Sequence, residues 1–383
     1  MTHIEWSEGG ATRSARWRSE SGWPAPKKIV VADDTMNADT AYRLALDGTA
    51  LLWRGDFQNA RQLLQALVRR VEHKGERARR AKAARTPVSP TDAFHRHRLQ
   101  QLQRARTLAM LLIPFEADHA IPLRRAPDAR LACLEAYGVA DEPYVASLRE
   151  LLGVIGAHEW RRKGVHIAAL DERIHPWYGV FSPVRGEYVE LVAQAPLPAG
   201  AKAGAKLAFD IGAGTGVLSA VLARRGLQVL ATDIDARALG CARENISRLG
   251  LAQQVDIIEA DLFPEGRAPL VLCNPPWLPG KPSSAIEYAV YDPDSRMLRG
   301  FLDGLAAHLE SDGEGWLILS DLAEHLGLRG RDELATLIDD AGLRVIDRLD
   351  ARPVHPRATD PNDPLHAARA AEITSLWRLS AAG

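Results

Sequence analysis

The sequence predicts an α/β fold in its second half, a largely parallel sheet with helices on both faces, preceded by a mainly helical region. Three observations carry that expectation. Leu207–Ile211 is a short apolar run ending in glycines, and residues 217–225 then take up helical spacing, which reads as strand, glycine turn, helix. Two further short runs, 228–232 and Val255–Glu259, each lead into acidic residues, Asp233 and Asp261. A fourth closes on Leu-Val-Leu-Cys and runs into Asn274-Pro275-Pro276-Trp277.

At 383 residues the chain exceeds one typical domain of about 100–200 residues, so a second folded unit is expected before Lys206. Residues 1–37 mix Trp6, Trp17 and Trp23 with Ser, Gly, Arg and Pro without a sustained period, and they predict a flexible N-terminal arm. Residues 38–165 predict a helical accessory domain for substrate recognition. Apolar residues recur at helical spacing over 40–54 and 59–71; residues 86–92 form a break and a cap for a helix over 93–112; shorter helices follow at 129–137 and 142–152. From His73 to Arg106, ten Lys or Arg stand against Glu76 and Asp92. This stretch reads either as a phosphate-contacting arm for RNA or DNA or as a solvated face whose aliphatic stems pack down.

Residues 166–205 read as a hairpin and a Pro/Ala/Gly-rich linker, and 206–383 as the α/β domain. Past Trp277 the polar stretch 278–294 is expected to be a loop that selects substrate. A helix over 295–309, a strand over 314–320, a helix over 331–341 and strands over 343–349 and 372–379 complete the pattern.

The glycine turn identifies the ligand class. Gly212, Gly214 and Gly216 permit positive φ and a close ligand approach that a Cβ would block. A dinucleotide loop wants a glycine where Val217 stands, and a phosphate loop wants a Gly-Lys-Ser/Thr ending that is absent. Asp210 would repel a diphosphate but suits a ligand with a cationic amino group, such as S-adenosylmethionine. Asp233 can bind two ribose hydroxyls. Asp261 can accept from an adenine amino group while Leu262 or Phe263 covers the ring.

With these residues in place, 206–320 resembles the class I S-adenosylmethionine-dependent methyltransferases, and Asn274-Pro275-Pro276-Trp277 matches their Asn/Asp-Pro-Pro-aromatic subgroup. The resemblance implies a Rossmann-like seven-stranded sheet whose last strand is inserted antiparallel, S-adenosylmethionine as cofactor, and methylation of a planar nitrogen. An amide or base amino nitrogen is a poor nucleophile because its lone pair is delocalised. Asn274 Oδ1 and the Pro275 carbonyl can each take one of its hydrogens, and neither Pro275 nor Pro276 has an N–H to compete. Trp277 offers a flat stacking face. Alignment of this kind can lower a barrier by roughly 7–11 kcal/mol. The plainer reading of the four residues is a strand-ending turn, which their position at a strand's carboxyl end disfavours.

Residues 178–188, with Phe181, Pro183 and Glu187, resemble the segment preceding the glycine loop in the protein-glutamine methyltransferases of release factors. That resemblance implies a substrate-side place for Phe181, although the family's Arg-Pro-x-Thr-Glu stretch is not reproduced.

Composition bounds the rest. The apolar fraction of 46 % is globular, and a net charge of −1 gives no global pull on nucleic acid or membrane. Three separated cysteines form neither a disulfide framework nor a zinc ribbon, and His95, His97, His158 and Glu159 lack metal spacing, so no metal is expected. No apolar run approaches the roughly 20 residues that span a bilayer, and the start Met-Thr-His-Ile-Glu-Trp has no signal-peptide core. A cytoplasmic protein without a membrane is the expectation.

The expected function is therefore N-methylation of a planar amide or amino nitrogen in a macromolecule, leaning to protein glutamine. The alternatives are adenine N6 or guanine N2 of rRNA, tRNA or DNA, and, in another class, a non-catalytic cofactor-binding docking or assembly factor.

Overall fold

The computed structural model describes residues 2–83, 89–203, 207–282, 285–354, 360–361 and 363–382, without the side chains of 74–83, 202–203 and 285–286. The chain divides into two compact units, residues 1–159 and 160–383.

The first unit runs β1 (His3–Glu8), β2 (Ala11–Trp17), β3 (Lys28–Ala32), α1 (Ala38–Leu46), β4 (Thr49–Trp53), α2 (Phe57–Ala83), α3 (Pro90–Leu108), β5 (Leu111–Phe115), α4 (Arg130–Tyr137), β6 (Tyr144–Ser147) and α5 (Leu148–Lys163), which passes into the second unit. Its strands form one mixed sheet in the order β1-β2-β6-β5-β4-β3. The expected mainly helical domain is thus helices packed with a six-stranded sheet.

Each departure has a local cause. The arm expected over 1–37 is three strands: β1 alternates Ile4 and Trp6 inward with His3, Glu5 and Ser7 outward, the period of a half-buried strand. The helix expected over 40–54 stops at Leu46, because Gly48 takes φ +77° and the buried run Thr-Ala-Leu-Leu-Trp pairs with β3 and β5 as β4. An apolar run of five residues fits a buried strand or a helix equally, and neighbouring strands decided it. The same holds for Leu111–Phe115, whose first two residues were expected as a helix end, and for Tyr144–Ser147, expected inside a helix. Ser89 caps α3 by accepting from the Asp92 amide at 3.1 Å, while 84–88 lie outside the described residues.

The second unit opens with a small antiparallel hairpin, β7 (Val165–Ile167) with β8 (Glu172–Ile174), then α6 (Glu187–Gln194) and α7 (Ala199–Ala203), a short helix where a linker was expected. There follow β9 (Leu207–Ile211), α8 (Val217–Arg224), β10 (Gln228–Asp233), α9 (Ala236–Arg248), β11 (Val255–Glu259), β12 (Ala268–Cys273), β13 (Leu278–Pro279), β14 (Tyr291–Asp292), α10 (Arg296–His308), β15 (Leu309–Ser320), α11 (Leu322–His325), α12 (Glu333–Asp340), β16 (Leu343–Ala351), α13 (His366–Ala371) and β17 (Thr374–Ala381). The sheet order is β11-β10-β9-β12-β15-β17-β16, parallel through β15, with β17 antiparallel to both neighbours. This is the Rossmann-like seven-stranded sheet.

Period-2 alternation splits its core. Ala208, Leu270 and Leu272 face one side with Val189, Val192, Leu218 and Leu222, whereas Phe209, Ile211, Val271 and Cys273 face the other with Leu298, Phe301, Leu302 and Leu305. The stretch expected to be a polar loop after Trp277 holds the two-residue parallel pair β13 and β14.

Candidate active site

Strand register assembles the site. Ile211 at the end of β9 lies opposite Thr232 of β10 and Cys273 of β12. Gly212, Asp233 and Asn274 therefore follow at one level on the sheet's carboxyl edge, where open α/β sheets bind ligands. Asp233 in turn faces Glu259 of β11, so Asp261, Leu262 and Phe263 come off the same edge.

The glycine turn is pinned to β10. Amides of Gly212 and Ala213 both donate to the Thr232 carbonyl, at 2.9 and 2.8 Å, and the Gly214 amide donates to Asp233 Oδ2 at 2.9 Å. All three glycines take positive φ, at +79°, +55° and +77°. They differ in surroundings. A Cβ on Gly216 would meet Ala242 Cβ at 3.2 Å, whereas one on Gly214 would meet nothing within 4 Å. Gly216 serves packing against α9, and Gly214 presents bare backbone.

Asp210 is sealed in, at 1 % exposure, with its carboxylate accepting from Ser219 Oγ. Burial pushes its pKa up to about 6 despite the Ser219 bonds, and the neighbouring Asp233 charge adds to the rise. Asp233 is also raised, chiefly by burial, against the amides of Asp235 and Gly214 that stabilise its charge. Each carboxylate oxygen has a second lone pair, so Asp233 keeps acceptor capacity beyond those two amides. Beside it Ile234 is 64 % exposed, an apolar side chain just past the carboxyl end of β10.

Asp261 and Leu262 stand differently from expectation. Asp261 is paired with Arg296 at 2.5 Å. Leu262, at φ +75°, lends its carbonyl to Thr232 Oγ1, and its side chain covers the notch left by Gly300 on α10. Phe263 stacks on His308, centroids 4.2 Å apart, over the notch at Gly304. The side chains expected to cover an adenine ring, Leu262 and Phe263, both pack against α10 and are half-buried.

At the end of β12, Pro275 is buried, while Asn274, Pro276 and Trp277 are half-buried. Trp277 Nε1 donates to Asn274 Oδ1 at 2.9 Å, which fixes the oxygen end of that amide. The Arg185 guanidinium lies over the indole, 5.2 Å from its centroid. Phe181 is half-buried on the segment ahead of α6. Asn245, 1 % exposed on α9, was missed in the sequence. Its Nδ2 donates to the Thr215 carbonyl at 3.1 Å and its Oδ1 accepts from the His175 amide at 2.8 Å, tying the glycine turn to the preceding segment. Only a polar residue amid the apolar stripe of α9 hinted at it.

Among the described residues no group of three or more His, Cys, Asp or Glu is placed to hold a metal ion, and no helix is long and apolar enough to cross a membrane.

A seven-stranded sheet with its inserted antiparallel strand, a three-glycine turn and an Asn-Pro-Pro-Trp turn at adjacent strand ends defines a class I methyltransferase domain, whose cofactor is S-adenosylmethionine. Residues 179–327 match the family model for the methyltransferase small domain. A release factor glutamine methyltransferase of Gloeobacter violaceus is 35 % identical over 131 residues, 32 % of this chain and 43 % of that protein. A ribosomal RNA small subunit methyltransferase C of Alcanivorax borkumensis is 42 % identical over 71 residues, 18 % of this chain and 21 % of that protein. A tRNA1(Val) (adenine(37)-N6)-methyltransferase of Shewanella sp. strain MR-4 is 30 % identical over 148 residues, 36 % of this chain and 60 % of that protein. The chain spans less than two thirds of the length of each.

Proposed function

We propose that the protein is an S-adenosylmethionine-dependent N-methyltransferase acting on a planar amide or amino nitrogen of a macromolecule, with protein glutamine the favoured substrate. The observation that carries it is the Asn274 amide, oriented by Trp277 at 2.9 Å on the same strand-end level as the glycine turn. A structural turn has no need of a donor that fixes an amide's orientation.

The surroundings fit the cofactor. Gly214 leaves room for it, Asp233 has spare acceptors for hydroxyls, Ile234 offers an apolar surface, and Asp210 supplies a negative field for a cationic amino group. When bound, S-adenosylmethionine supplies an electrophilic methyl group. The chain's own task is to hold the nucleophile. Asn274 Oδ1, with one lone pair on the indole, accepts a substrate N–H with the other, and the Pro275 carbonyl accepts the second. Both bonds turn the nitrogen lone pair out of conjugation and aim it.

The glutamine reading draws support from the release-factor relative and from the 178–188 segment. The basic stretch favours a nucleic-acid base as second reading: Arg96 and Arg106 are exposed on α3, although Arg104 is paired with Glu72 at 2.8 Å. Incubation with tritiated methyl donor and a bacterial extract separates the readings. Label removed by protease is expected; label removed by nuclease would transfer the assignment to RNA or DNA, and no label would favour a docking factor.

A further inference from the structure

Trp277 is held from behind by groups drawn from three distant stretches. Arg185, over its ring, is fixed by two carboxylates: Nε donates to Glu187 Oε1 at 2.9 Å and Nη2 to Glu372 Oε1 at 3.0 Å. Both carboxylate side chains are sealed from water, at 5 % and 0 % exposure. The same Glu372 oxygen accepts from Ser320 Oγ at 2.8 Å, and Ser320 stands opposite Thr374 across β15 and β17. Glu372 Oε2 and Thr374 Oγ1 are buried with no hydrogen-bond partner among the described residues.

Packing alone does not explain this arrangement. A buried ion pair is often replaceable by apolar groups without loss of stability, and one with an unsatisfied oxygen is a poorer stabiliser still. What the carboxylates do achieve is to keep a guanidinium flat against one chosen indole. A cation desolvated over an aromatic face needs counter-charge to stay there, and Arg185 has it on two sides.

We propose that Arg185 and Glu372 are positioning residues for methyl transfer. They lock the plane of Trp277, and through its Nε1–H they hold Asn274 with its oxygen, not its NH₂, in place to accept. Arg185 also covers one indole face. The proposal rests on the role given above to Asn274, but its primary test does not.

That test uses the full chain labelled with ¹⁵N, the Trp277 indole N–H signal being identified by its loss in Trp277→Phe. Hydrogen exchange of this proton is expected to quicken about tenfold in Glu372→Gln and in Arg185→Lys, whose ammonium cannot both stack and bridge two carboxylates. Ser320→Ala, a milder change, is expected to quicken it two- to threefold or roughly so, and it decides the matter if the charge variants do not fold. In methyl transfer, kcat should fall about tenfold while KM for the methyl donor stays within about twofold. Unchanged indole exchange in variants that melt as wild type overturns the positioning role, as does a rise in donor KM with kcat unchanged. Failure of the unaltered protein to bind S-adenosylmethionine by calorimetry would instead overturn the functional reading and leave the exchange result standing.

Discussion

A carboxyl sealed at 1 % exposure has consequences for pH. The Asp210 pKa is raised from 3.8 to about 6, so the folded state holds a proton that the unfolded chain has released between those values. Its contribution to stability is full below the unfolded value and is lost as pH rises through the folded one, an effect of about 3 kcal/mol at most. Asp210→Asn is therefore expected to gain stability relative to wild type between pH 4 and pH 7, measured by urea melts at both ends. A cationic ligand favours the ionised carboxylate, so wild-type affinity for S-adenosylmethionine should weaken below about pH 6 and the Asn variant's should not. The glycines make a second residue-scale prediction. Both positions carry the strain of positive φ; Gly216→Ala adds a neighbour at 3.2 Å and should destabilise by about 1–3 kcal/mol, whereas Gly214→Ala meets open space, should destabilise less than Gly216→Ala and should weaken ligand affinity besides.

Between elements, two residues set how neighbouring segments approach. Asn245 joins α9 to the Thr215 carbonyl and to the His175 amide. Asn245→Ala leaves those buried groups unpaired and should cost about 2–3 kcal/mol, with faster hydrogen exchange confined to the glycine turn and the 175 segment. Gly315, in the middle of β15, lets Leu305 of α10 lie on the strand, since a Cβ there would meet Leu305 Cδ2 at 2.2 Å. Gly315→Ala should destabilise by about 1–3 kcal/mol in denaturant melts and disturb the α10 face rather than the α8 face. The element boundaries also show what periodicity reads well. Helices over 295–309 and 331–341 and the glycine turn stand close to where the spacing put them, because the helices carry amphipathic apolar stripes. Residues 49–53, 111–112 and 144–147 fall inside expected helices but form strands in which every position is buried, so the run carries no period. The alternation in β1 was present in the sequence and was masked by the three tryptophans and surrounding arginines.

For the molecule as a whole, charge and thiols are the accessible observables. With a net charge of −1 and a pI near 6.9, solubility should pass through a minimum close to neutral pH and recover on either side. Cys133, Cys241 and Cys273 are all buried, and burial pushes their thiols up, to about 11 for Cys133, about 12 for Cys241 and well above the usual value for Cys273. The native protein should therefore show no fast reaction with a disulfide reagent at pH 8, and all three thiols should react once guanidinium unfolds the chain.

The sequence by itself determined the α/β class, the glycine turn, the acidic strand ends and the Asn-Pro-Pro-Trp turn. Each is a local pattern whose meaning follows from backbone freedom or donor inventory within a few residues. Tertiary structure alone decided that the first unit carries a sheet, since fully buried short runs become strands only when partners lie alongside. It also decided that Phe263 and Leu262 serve α10, that Asn245 braces the turn, and that Glu372 reaches Arg185 across 187 positions of chain. Those are contacts between residues far apart in sequence, and no spacing rule records which distant side chain fills a given notch or pairs with a given charge.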